Sequence, residues 1–569
     1  MSDTGEIIKT LGDFGRFQWR LLMLVTLASP SLAFHMFSQL FMVLEEPHHC
    51  NTSWFNAIGL NLTEEERLNL TLPKKPDGTF EECLMYTPVD WDLDAIVQYG
   101  LNSTEKCRRG WVYPSNQEPS LLTQFDLVCD WEDLNDISQS IYMLGLLAGA
   151  LVSGLLSDRF GRRPSLLLSM LIEGVFGVAT AFAPNFYLYS AFRFLVGASV
   201  SGVVISSLAL ATEWVGIVYR PHTVIISHAA FSVGQMILAG LAYAFRDWRT
   251  LQLAGSAPVF ALFFYLWILP ESARWLVTKG KTEEAKRLLQ KASSVNKRAI
   301  PLKLLDEQLL TSPLCKSCLP LTPTKPYPAE KLTPDKTVSA GIWELFRNPH
   351  MGKVTFVLSA VWFVSSLAYY GLSLNVGGFG FDIYLTQAIF GAVEIPGRLS
   401  CIFLVQWLGR KKCQSSALLL GGTCCLLIAV IPKDLPILVT VFATTGKFIM
   451  SGSLSISYVY SAELFPTIVR QTGVGWCQTA ARLAGIISPL IGLLDKYHPS
   501  IPVVIFGSAA VAGGLLACLL PETCGKELPD CMDDIAHYQR PSKRINGSLR
   551  NACLKPNEEI TERIAITRL

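Results

Sequence analysis

The chain has 569 residues, of which 50% are hydrophobic and only 17% are charged, and its formal net charge is +2. Because soluble globular domains carry about 25% charged residues, this composition excludes an ordinary soluble protein and favours one embedded in a lipid bilayer. The near-neutral charge gives no support for a nucleic-acid partner, and we expect none.

Twelve apolar runs recur along the chain, each close to the length that crosses roughly 30 Å of hydrocarbon as a helix. They cover residues 20–42, 137–156, 165–183, 188–211, 222–244, 250–269, 353–374, 383–404, 415–432, 435–460, 470–494 and 501–520. We therefore predict an all-α polytopic membrane protein with twelve transmembrane helices, six in each half. The predicted order is an N-terminus at 1–19, a bundle at 20–270, a linker with helices at 271–352, a second bundle at 353–520 and a tail at 521–569.

Short basic loops predict which side faces the cytoplasm, because Lys and Arg concentrate in cytoplasmic loops. Arg159, Arg162 and Arg163 lie between the second and third runs, and Arg410 to Lys412 lie between the eighth and ninth. An even number of spans puts both termini on the side of these clusters. We therefore expect cytoplasmic termini and a multi-pass protein of the plasma membrane.

The long loop at 43–136 has the features of an extracellular segment. It holds 18 Asp/Glu against 6 Lys/Arg. Glycosylation sequons begin at Asn51, Asn61, Asn69 and Asn102. Cys50, Cys83, Cys107 and Cys129 could form two disulfides in any of three connectivities.

The two halves repeat the same signals about 250 residues apart. Gly161 and Gly409 are separated by 248 residues, and Glu213 and Glu463 by 250. Each of these glutamates precedes an arginine, Arg220 or Arg470, by seven positions. Such fixed-offset similarity indicates a duplicated unit, and paired halves around a central cavity are how many transporters alternate access.

Residues 154–163, GLLSDRFGRR, resemble the signature loop of the major facilitator superfamily. Topogenic positive charge alone would explain the arginines but not Gly154, Asp158 and Gly161. The resemblance implies a gating role for Asp158, Arg159, Gly161 and Arg162. We expect charge networks with Glu213, Arg220, Glu463 and Arg470 at the matching helix ends, which would hold an outward-open state.

Ionisable residues within apolar runs are costly unless they face partners or water. Arg193 and Lys447 are 254 residues apart, which matches the repeat, so they are either scaffold cations or transport residues. Arg398 has Glu394 one turn before it, and an ion pair along the helix is the alternative to substrate binding. Arg482 has no acidic neighbour within a turn, so it is the strongest candidate for binding an anionic group.

Aromatic and polar side chains in the runs complete the candidate site. Tyr369, Tyr370 and Phe231 could stack on flat aromatic carboxylates, and cations beside them could add cation–π contact. Gln235, His35 and Lys447 are further candidates for the substrate path. One histidine does not establish proton coupling.

The other motifs are weaker. Cys315 and Cys318 form a lone CxxC, which is poor evidence for zinc, so we expect neither a metal nor a cofactor. Thr567-Arg568-Leu569 fits a carboxy-terminal ligand of a PDZ scaffold. Catalytic triads and phosphate loops are absent from the sequence, so an enzyme is the least favoured class.

The chain resembles the solute carrier 22 family over residues 10–530, and within it the organic anion transporter branch. The carrying segments are GDFGRFQ (12–18), EPHHC (46–50), SDRFGRRP (157–164), PESARWL (270–276), AYYGLSL (368–374) and SAELFPTIVRQTG (461–473). The resemblance to the organic anion transporter branch depends on GQMILAGLAY (234–243) and on the arginine at 482. Carriers of the cation branch typically have an acidic residue near that position.

This resemblance implies a monomeric transporter of small organic anions. It implies that Arg482 and Arg398 occupy the anion site, lined by Tyr369, Tyr370 and Phe231. It further implies exchange of urate- or nicotinate-like monocarboxylates for intracellular anions such as lactate, succinate or ketone-body acids. Arg398 departs from the lysine common among other anion carriers, and the loop has four cysteines where many members have six.

Two other functions remain open at this point. One is an organic cation or zwitterion carrier of the same fold. The other is a membrane receptor or scaffold that does not transport and that uses the glycosylated loop and the PDZ-like tail.

Overall fold

The computed structural model describes residues 3–44, 46–58, 62–113, 119–216, 219–298, 342–375, 382–432, 434–466 and 469–524. The sequon at Asn61, the pair Cys315 and Cys318, and the PDZ-like Thr567–Leu569 lie outside the described residues. The predictions made for them remain predictions.

The first half is built from helices that begin near the N-terminus and flank the long loop. They are α1 (Asp3–Leu11), α2 (Arg16–Thr26), α3 (Ser29–Phe37), α4 (Gln39–Met42), α5 (Glu64–Thr71), α6 (Leu93–Tyr99), α7 (Leu121–Phe125), α8 (Asp133–Phe160), α9 (Arg162–Ala181), α10 (Phe186–Glu213), α11 (Arg220–Ala244), α12 (Trp248–Ser256) and α13 (Pro258–Leu266). Short 3-10 turns lie at Ser53–Ala57 and Cys129–Trp131.

The second half follows two helices of the linker, α14 (Ala273–Thr278) and α15 (Thr282–Asn296). Its helices are α16 (Ile342–Arg347), α17 (Pro349–Leu374), α18 (Ile383–Leu408), α19 (Arg410–Val430), α20 (Pro436–Leu464), α21 (Arg470–Gly492) and α22 (Ser500–Ala517), with a 3-10 turn at Leu493–Lys496.

Eleven helical segments of the described chain are long and apolar enough to cross a membrane. The first combines α2 and α3, as Arg16–Phe37. The sixth predicted span, 250–269, differs from expectation because it is broken into α12 and α13 at Ala257. Pro258 cannot donate a backbone hydrogen bond to the preceding turn, which is why a new helix begins there. Both short helices pack on α9, so the all-α fold of two six-span halves is confirmed.

The two halves use the same helix pairs. Helix α8 packs on α10 as α18 packs on α20, and α3 packs on α11 as α17 packs on α21. Glycines bring the backbones close: a Cβ added at Gly149 would lie 2.1 Å from Ala198 O, and one at Gly397 would lie 2.7 Å from Phe448 O. Small residues at such positions are how membrane helices approach closely without a hydrophobic driving force.

The halves meet through α8 against α21 and α11 against α18. We call the end from which the long loop emerges the loop face. We call the opposite end, which carries Asp158–Arg163 and Arg410–Lys412, the signature face. Helices α8 and α18 run from the loop face to the signature face, and α11 and α21 run back.

The long loop folds around two disulfides, Cys50–Cys107 and Cys83–Cys129, with Cα separations of 5.0 and 5.6 Å. The structure thus selects one of the three open connectivities. Two small antiparallel sheets accompany them, β1 (His49–Cys50) with β4 (Trp111–Val112) and β2 (Leu84–Tyr86) with β3 (Thr104–Lys106). Asn69 and Asn102 are exposed and Asn51 is partly buried.

Candidate functional site

A central cavity of about 190 Å³ lies between the two halves. Most of its lining residues lie on α3, α10 and α11 of the first half and on α17 and α21 of the second. Single residues of α8 and α18 and two of α20 complete the lining. Its main polar and aromatic lining residues are His228, Phe231, Trp362, Ser366, Tyr369, Tyr370, Arg398, Tyr458, Gln478 and Arg482. The predicted residues Arg482, Arg398, Tyr369, Tyr370 and Phe231 are therefore brought together.

Arg482 projects from the middle of α21 and is partly buried. The side chains of Tyr370, Tyr458 and Tyr142 lie near its guanidinium. Within the described part of the chain it forms no ion pair with a carboxylate. Its guanidinium can therefore offer charge-assisted hydrogen bonds to an anion in the cavity.

Arg398 forms an ion pair along its own helix, which was the alternative to substrate binding in the sequence analysis. Its Nη2 lies 3.8 Å from Glu394 Oε2, one turn earlier on α18. Glu394 also lies 3.0 Å from the Lys447 ammonium, and all three side chains are almost completely buried. Arg398 still lines the cavity, so it shares its charge between Glu394 and the open space.

Glu394 is the centre of a buried polar network that joins the two halves. Ser232 Oγ donates to its Oε2 at 2.7 Å, and Gln235 Nε2 donates to the same atom at 2.8 Å. The Tyr369 hydroxyl donates to Oε1. A buried carboxylate needs such donors and cations to offset its desolvation.

Two predicted substrate contacts therefore lie behind the cavity wall in this conformation. Gln235 and Lys447 are fully buried and absent from the lining, because both are held by Glu394. Lys447 also donates to the Ser373 hydroxyl. Their effect on a bound solute would pass through Glu394.

His35 likewise lies away from the cavity. It is fully buried, and its Nε2 lies 3.7 Å from Glu173 Oε1. The backbone carbonyl of His35 accepts a hydrogen bond of 2.8 Å from Arg193 Nη1. Arg193 also donates to Gln39 and Gln139 at 3.1 Å each, so it acts as a scaffold cation here rather than as a wall of the cavity.

The sequence reasoning missed several lining residues, among them His228, Tyr458 and Gln478. His228 lies three positions before Phe231 and Gln478 four before Arg482, so helical spacing from the two predicted residues could have found them. The Trp362 and Tyr458 rings pack edge to face at 4.4 Å. No pattern in the sequence pairs those two rings, since they come from α17 and α20.

At the signature face, the first half carries an ionic network around Arg162. Its Nη2 lies 2.9 Å from Glu213 Oε1, and its Nη1 lies 2.7 Å from Asp158 Oδ1. Its backbone N–H donates to Glu271 Oε1 at 3.0 Å. Glu271 thereby satisfies the free N–H groups at the start of α9, where a negative charge is favoured.

The second half repeats this network. Arg410 Nη2 lies 2.9 Å from Glu463 Oε1, and the Arg410 backbone N–H donates to Glu522 Oε1 at 2.9 Å. Thr523 Oγ1 donates to Glu463 Oε2 at 2.6 Å. The segments Pro270–Ser272 and Pro521–Thr523, which follow the last span of each half, thus supply equivalent caps to α9 and α19.

The arginines seven positions after these glutamates, Arg220 and Arg470, lie at the start of α11 and α21. Glu213 pairs with Arg162 rather than Arg220, whose buried Nε has no hydrogen-bond partner in the described chain. Arg470 Nε donates to the backbone carbonyl of Phe465 at 3.2 Å. Arg159 is exposed, with its guanidinium 5.5 Å from the centre of the Phe160 ring.

Direct contacts join the two halves on the loop-face side of the cavity. Ser140 Oγ donates to the Ile486 carbonyl at 3.1 Å, and Arg246 Nη1 donates to the Tyr384 hydroxyl at 3.2 Å. Lys496 bonds to Asp133. By contrast, the ion pairs at the signature face between described residues each stay within one half. The expectation that these networks hold an outward-open state remains a prediction.

Comparison with known proteins identifies the family. The Major Facilitator Superfamily profile matches residues 134–489. The chain is 46% identical over 538 residues to solute carrier family 22 member 13 of Homo sapiens, covering 94% of this chain and 93% of that one. It is 38% identical over 543 residues to solute carrier family 22 member 6 of Oryctolagus cuniculus, covering 95% of each chain.

Solved structures share the fold. A partially occluded, inward-open form of the xylose transporter XylE from E. coli matches with a TM-score of 0.59 at 16% identity, over 90% of this chain and 100% of that one. An identity this low supports the fold alone. From the profile and the full-length relatives, this chain belongs to the solute carrier 22 family of the major facilitator superfamily and is a multi-pass membrane transporter, not an enzyme.

Proposed function

We propose that this protein is an organic anion transporter of the plasma membrane, which exchanges urate- or nicotinate-like monocarboxylates for intracellular organic anions. One observation carries the proposal: the cavity wall holds two guanidinium groups, Arg398 and Arg482, and no carboxylate among its described lining residues. A cation carrier would need the opposite balance.

The charge balance extends behind the wall. Counting Glu394 as ionised, the site holds the cations Arg398, Lys447 and Arg482 against a single carboxylate. In a partly desolvated cavity, each unit of excess charge interacts with a solute ion by a few kcal/mol at an effective dielectric constant of about 20. An anion would therefore enter with a favourable energy that a cation would lack.

The shape of the solute follows from the aromatic walls. Tyr370, Trp362, Tyr458 and Phe231 offer ring faces and edges around Arg482. Flat conjugated acids can stack on such rings while their anionic group meets a guanidinium. In this proposal Arg482 binds the anionic group, Arg398 is the second cation, and Tyr369 links the cavity to Glu394.

Transport would proceed by alternating access, with the solute shifting the balance between two states of the halves. The basic clusters support a cytoplasmic signature face and the disulfide-bonded loop supports an extracellular loop face. With the halves joined at the loop face, this conformation would then be open toward the cytoplasm. The networks around Arg162 and Arg410 would hold each half rigid while it moves.

The test is uptake into vesicles reconstituted with the full chain and loaded with lactate, succinate or an inert salt. Labelled urate, nicotinate, a sulfated steroid and a quaternary amine are offered outside, and protein-free vesicles with the same loading are the control. The proposal expects urate or nicotinate uptake that rises only with a loaded carboxylate. Uptake of the quaternary amine instead would favour a cation carrier, and uptake of none would favour a receptor or scaffold.

A further inference from the structure

Most polar side chains in the cavity wall are already bonded within the protein. Trp362 Nε1 donates to Ser461 Oγ at 2.8 Å, and the Tyr369 hydroxyl donates to Glu394. Ser366 donates to the Ala481 carbonyl at 2.7 Å, and Ser29 pairs with Ser227 at 3.4 Å. These groups hold the wall together and have little left to offer a solute.

Apart from Arg398, which is paired with Glu394, five lining residues keep side-chain polar atoms that bond to no other described residue and that are not sealed from the cavity. They are His228, Tyr370, Tyr458, Gln478 and Arg482. Four of them belong to the second half. His228, on α11, is the member of this set from the first half, whereas Arg482 lies on α21 of the second.

His228 is held in place by its surroundings. Ser232 Oγ lies 3.2 Å from its backbone carbonyl oxygen and 2.7 Å from Glu394 Oε2, so one hydroxyl hydrogen is shared between these two acceptors. Its ring lies 6.0 Å from the Tyr458 ring, tilted by 48°. The helix turn that carries the imidazole is thus held by the buried network around Glu394. A residue that recognises a ligand needs such support to keep its side chain in position.

The chemistry of this side chain differs from that of the cations. Arginine can only donate hydrogen bonds, whereas a neutral imidazole presents one N–H donor and one acceptor nitrogen. A planar acid anchored at Arg482 would turn its far edge toward His228. A ring nitrogen on that edge, either bare or carrying a hydrogen, could pair with the imidazole, and a ring C–H could not.

We infer that His228 is a specificity-determining residue that recognises a ring nitrogen of the solute, so that the site selects nitrogen heteroaromatic acids over carbocyclic acids of the same shape. This inference rests on the proposed anion transport and names the class of anion. Burying an unpaired hydrogen-bonding group costs more than the bond itself contributes, which is why a polar wall rejects an isostere lacking the partner.

The experiment compares labelled nicotinate with labelled benzoate, two acids that differ by one ring nitrogen. Initial uptake rates of both are measured in cells at equal surface abundance of wild type, His228→Phe and His228→Gln. The matched control is His222→Phe, because His222 is an exposed residue on the same helix, outside the cavity. Gln478→Leu, Tyr370→Phe and Tyr458→Phe test the other lining residues that offer both a donor and an acceptor.

The wild type should prefer nicotinate, and His228→Phe should lower the nicotinate-to-benzoate ratio about threefold to tenfold, the size of one net hydrogen bond. His228→Gln should restore part of the ratio, and His222→Phe should leave it unchanged. An unchanged ratio in His228→Phe, an equal loss of both acids, or a ratio that moves only in Gln478→Leu, Tyr370→Phe or Tyr458→Phe would overturn the inference. Failure of the proposed function looks different, since then the wild type accumulates neither acid.

Discussion

The Lys447 ammonium lies 3.0 Å from the Glu394 carboxylate, and neither side chain has any exposed surface. This pair joins α20 to α18 within the second half. Ser232 and Gln235 reach the same carboxylate from α11 of the first half. Glu394 therefore takes part both in the packing of the second half and in the interface between the halves. It lies directly behind the proposed anion site.

The first prediction concerns this pair. Glu394→Gln should destabilise the protein by about 3–5 kcal/mol, because it leaves the buried Lys447 and Arg398 without their carboxylate. Lys447→Met should cost less, because Glu394 keeps Arg398 and its hydrogen-bond donors. The double variant should recover part of the loss caused by Glu394→Gln, since it removes the ion pair as a unit. Thermal unfolding of the detergent-solubilised protein measures all four forms. A double variant no more stable than the worse single variant would show that the pair is not the source of the effect.

The second prediction concerns the partner of Glu213. In a double-mutant cycle, Arg162→Gln and Glu213→Gln should be coupled by about 0.5–3 kcal/mol, because their charged groups are in contact. Arg410→Gln with Glu463→Gln should behave in the same way. The control cycle uses Arg159→Gln, since Arg159 is exposed and forms no ion pair with a described residue. Stronger coupling of Glu213 to Arg220 than to Arg162 would contradict the observed network.

The third prediction concerns two equivalent glycines. Gly161 has φ 113° and ψ 162°, and Gly409 has φ 86° and ψ 161°, a region open essentially to glycine alone. A Cβ there would also lie 2.4 Å from Glu271 Oε2 or 2.7 Å from Glu522 Oε2.

We expect Gly161→Ala and Gly409→Ala each to lower stability by about 1–3 kcal/mol and to lower surface abundance. Gly154→Ala is the matched control from the same signature segment, because a Cβ at Gly154 meets no atom within 4 Å. Equal stability of all three variants, measured by thermal unfolding after purification, would refute a special role for the two turns.

The fourth prediction concerns the long loop. Peptide mapping of the intact protein under non-reducing conditions should recover Cys50 linked to Cys107 and Cys83 linked to Cys129. Cys50→Ser and Cys107→Ser should then reduce surface abundance to the same degree, and the double variant should be no worse than either single one. Recovery of a Cys50–Cys83 peptide would contradict the fold described for the loop.

Much of the architecture could be predicted from the sequence because its signals are local or periodic. The apolar runs, the repeat of Gly161 at Gly409 and the isolation of Arg482 each depend on residues close together along the chain. The break at Ala257 could not be read from hydropathy, because α12 and α13 form one continuous apolar run. Only the backbone requirement of Pro258 separates them.

The candidate site was less predictable, because its contacts join helices that are distant in the chain. Arg398 and Glu394 are one turn apart, so their pairing was foreseen as an alternative. The contacts of Lys447 and Gln235 with Glu394 depend on how α11, α18 and α20 pack together. The spacing of residues along the sequence gives no information on that packing. His35 illustrates the same limit: its position in an apolar run suggested the substrate path, but packing places it against Glu173.

The most direct measurement of the central proposal is the uptake of labelled nicotinate and of a labelled quaternary amine by wild type, Arg482→Gln and Arg249→Gln at equal surface abundance. Arg249 is an arginine outside the cavity wall, so it controls for loss of positive charge alone. Arg482→Gln should lower nicotinate uptake about tenfold or more, the size of a lost hydrogen bond to a charged group, with Arg249→Gln close to wild type. Undiminished nicotinate uptake by Arg482→Gln would contradict the account.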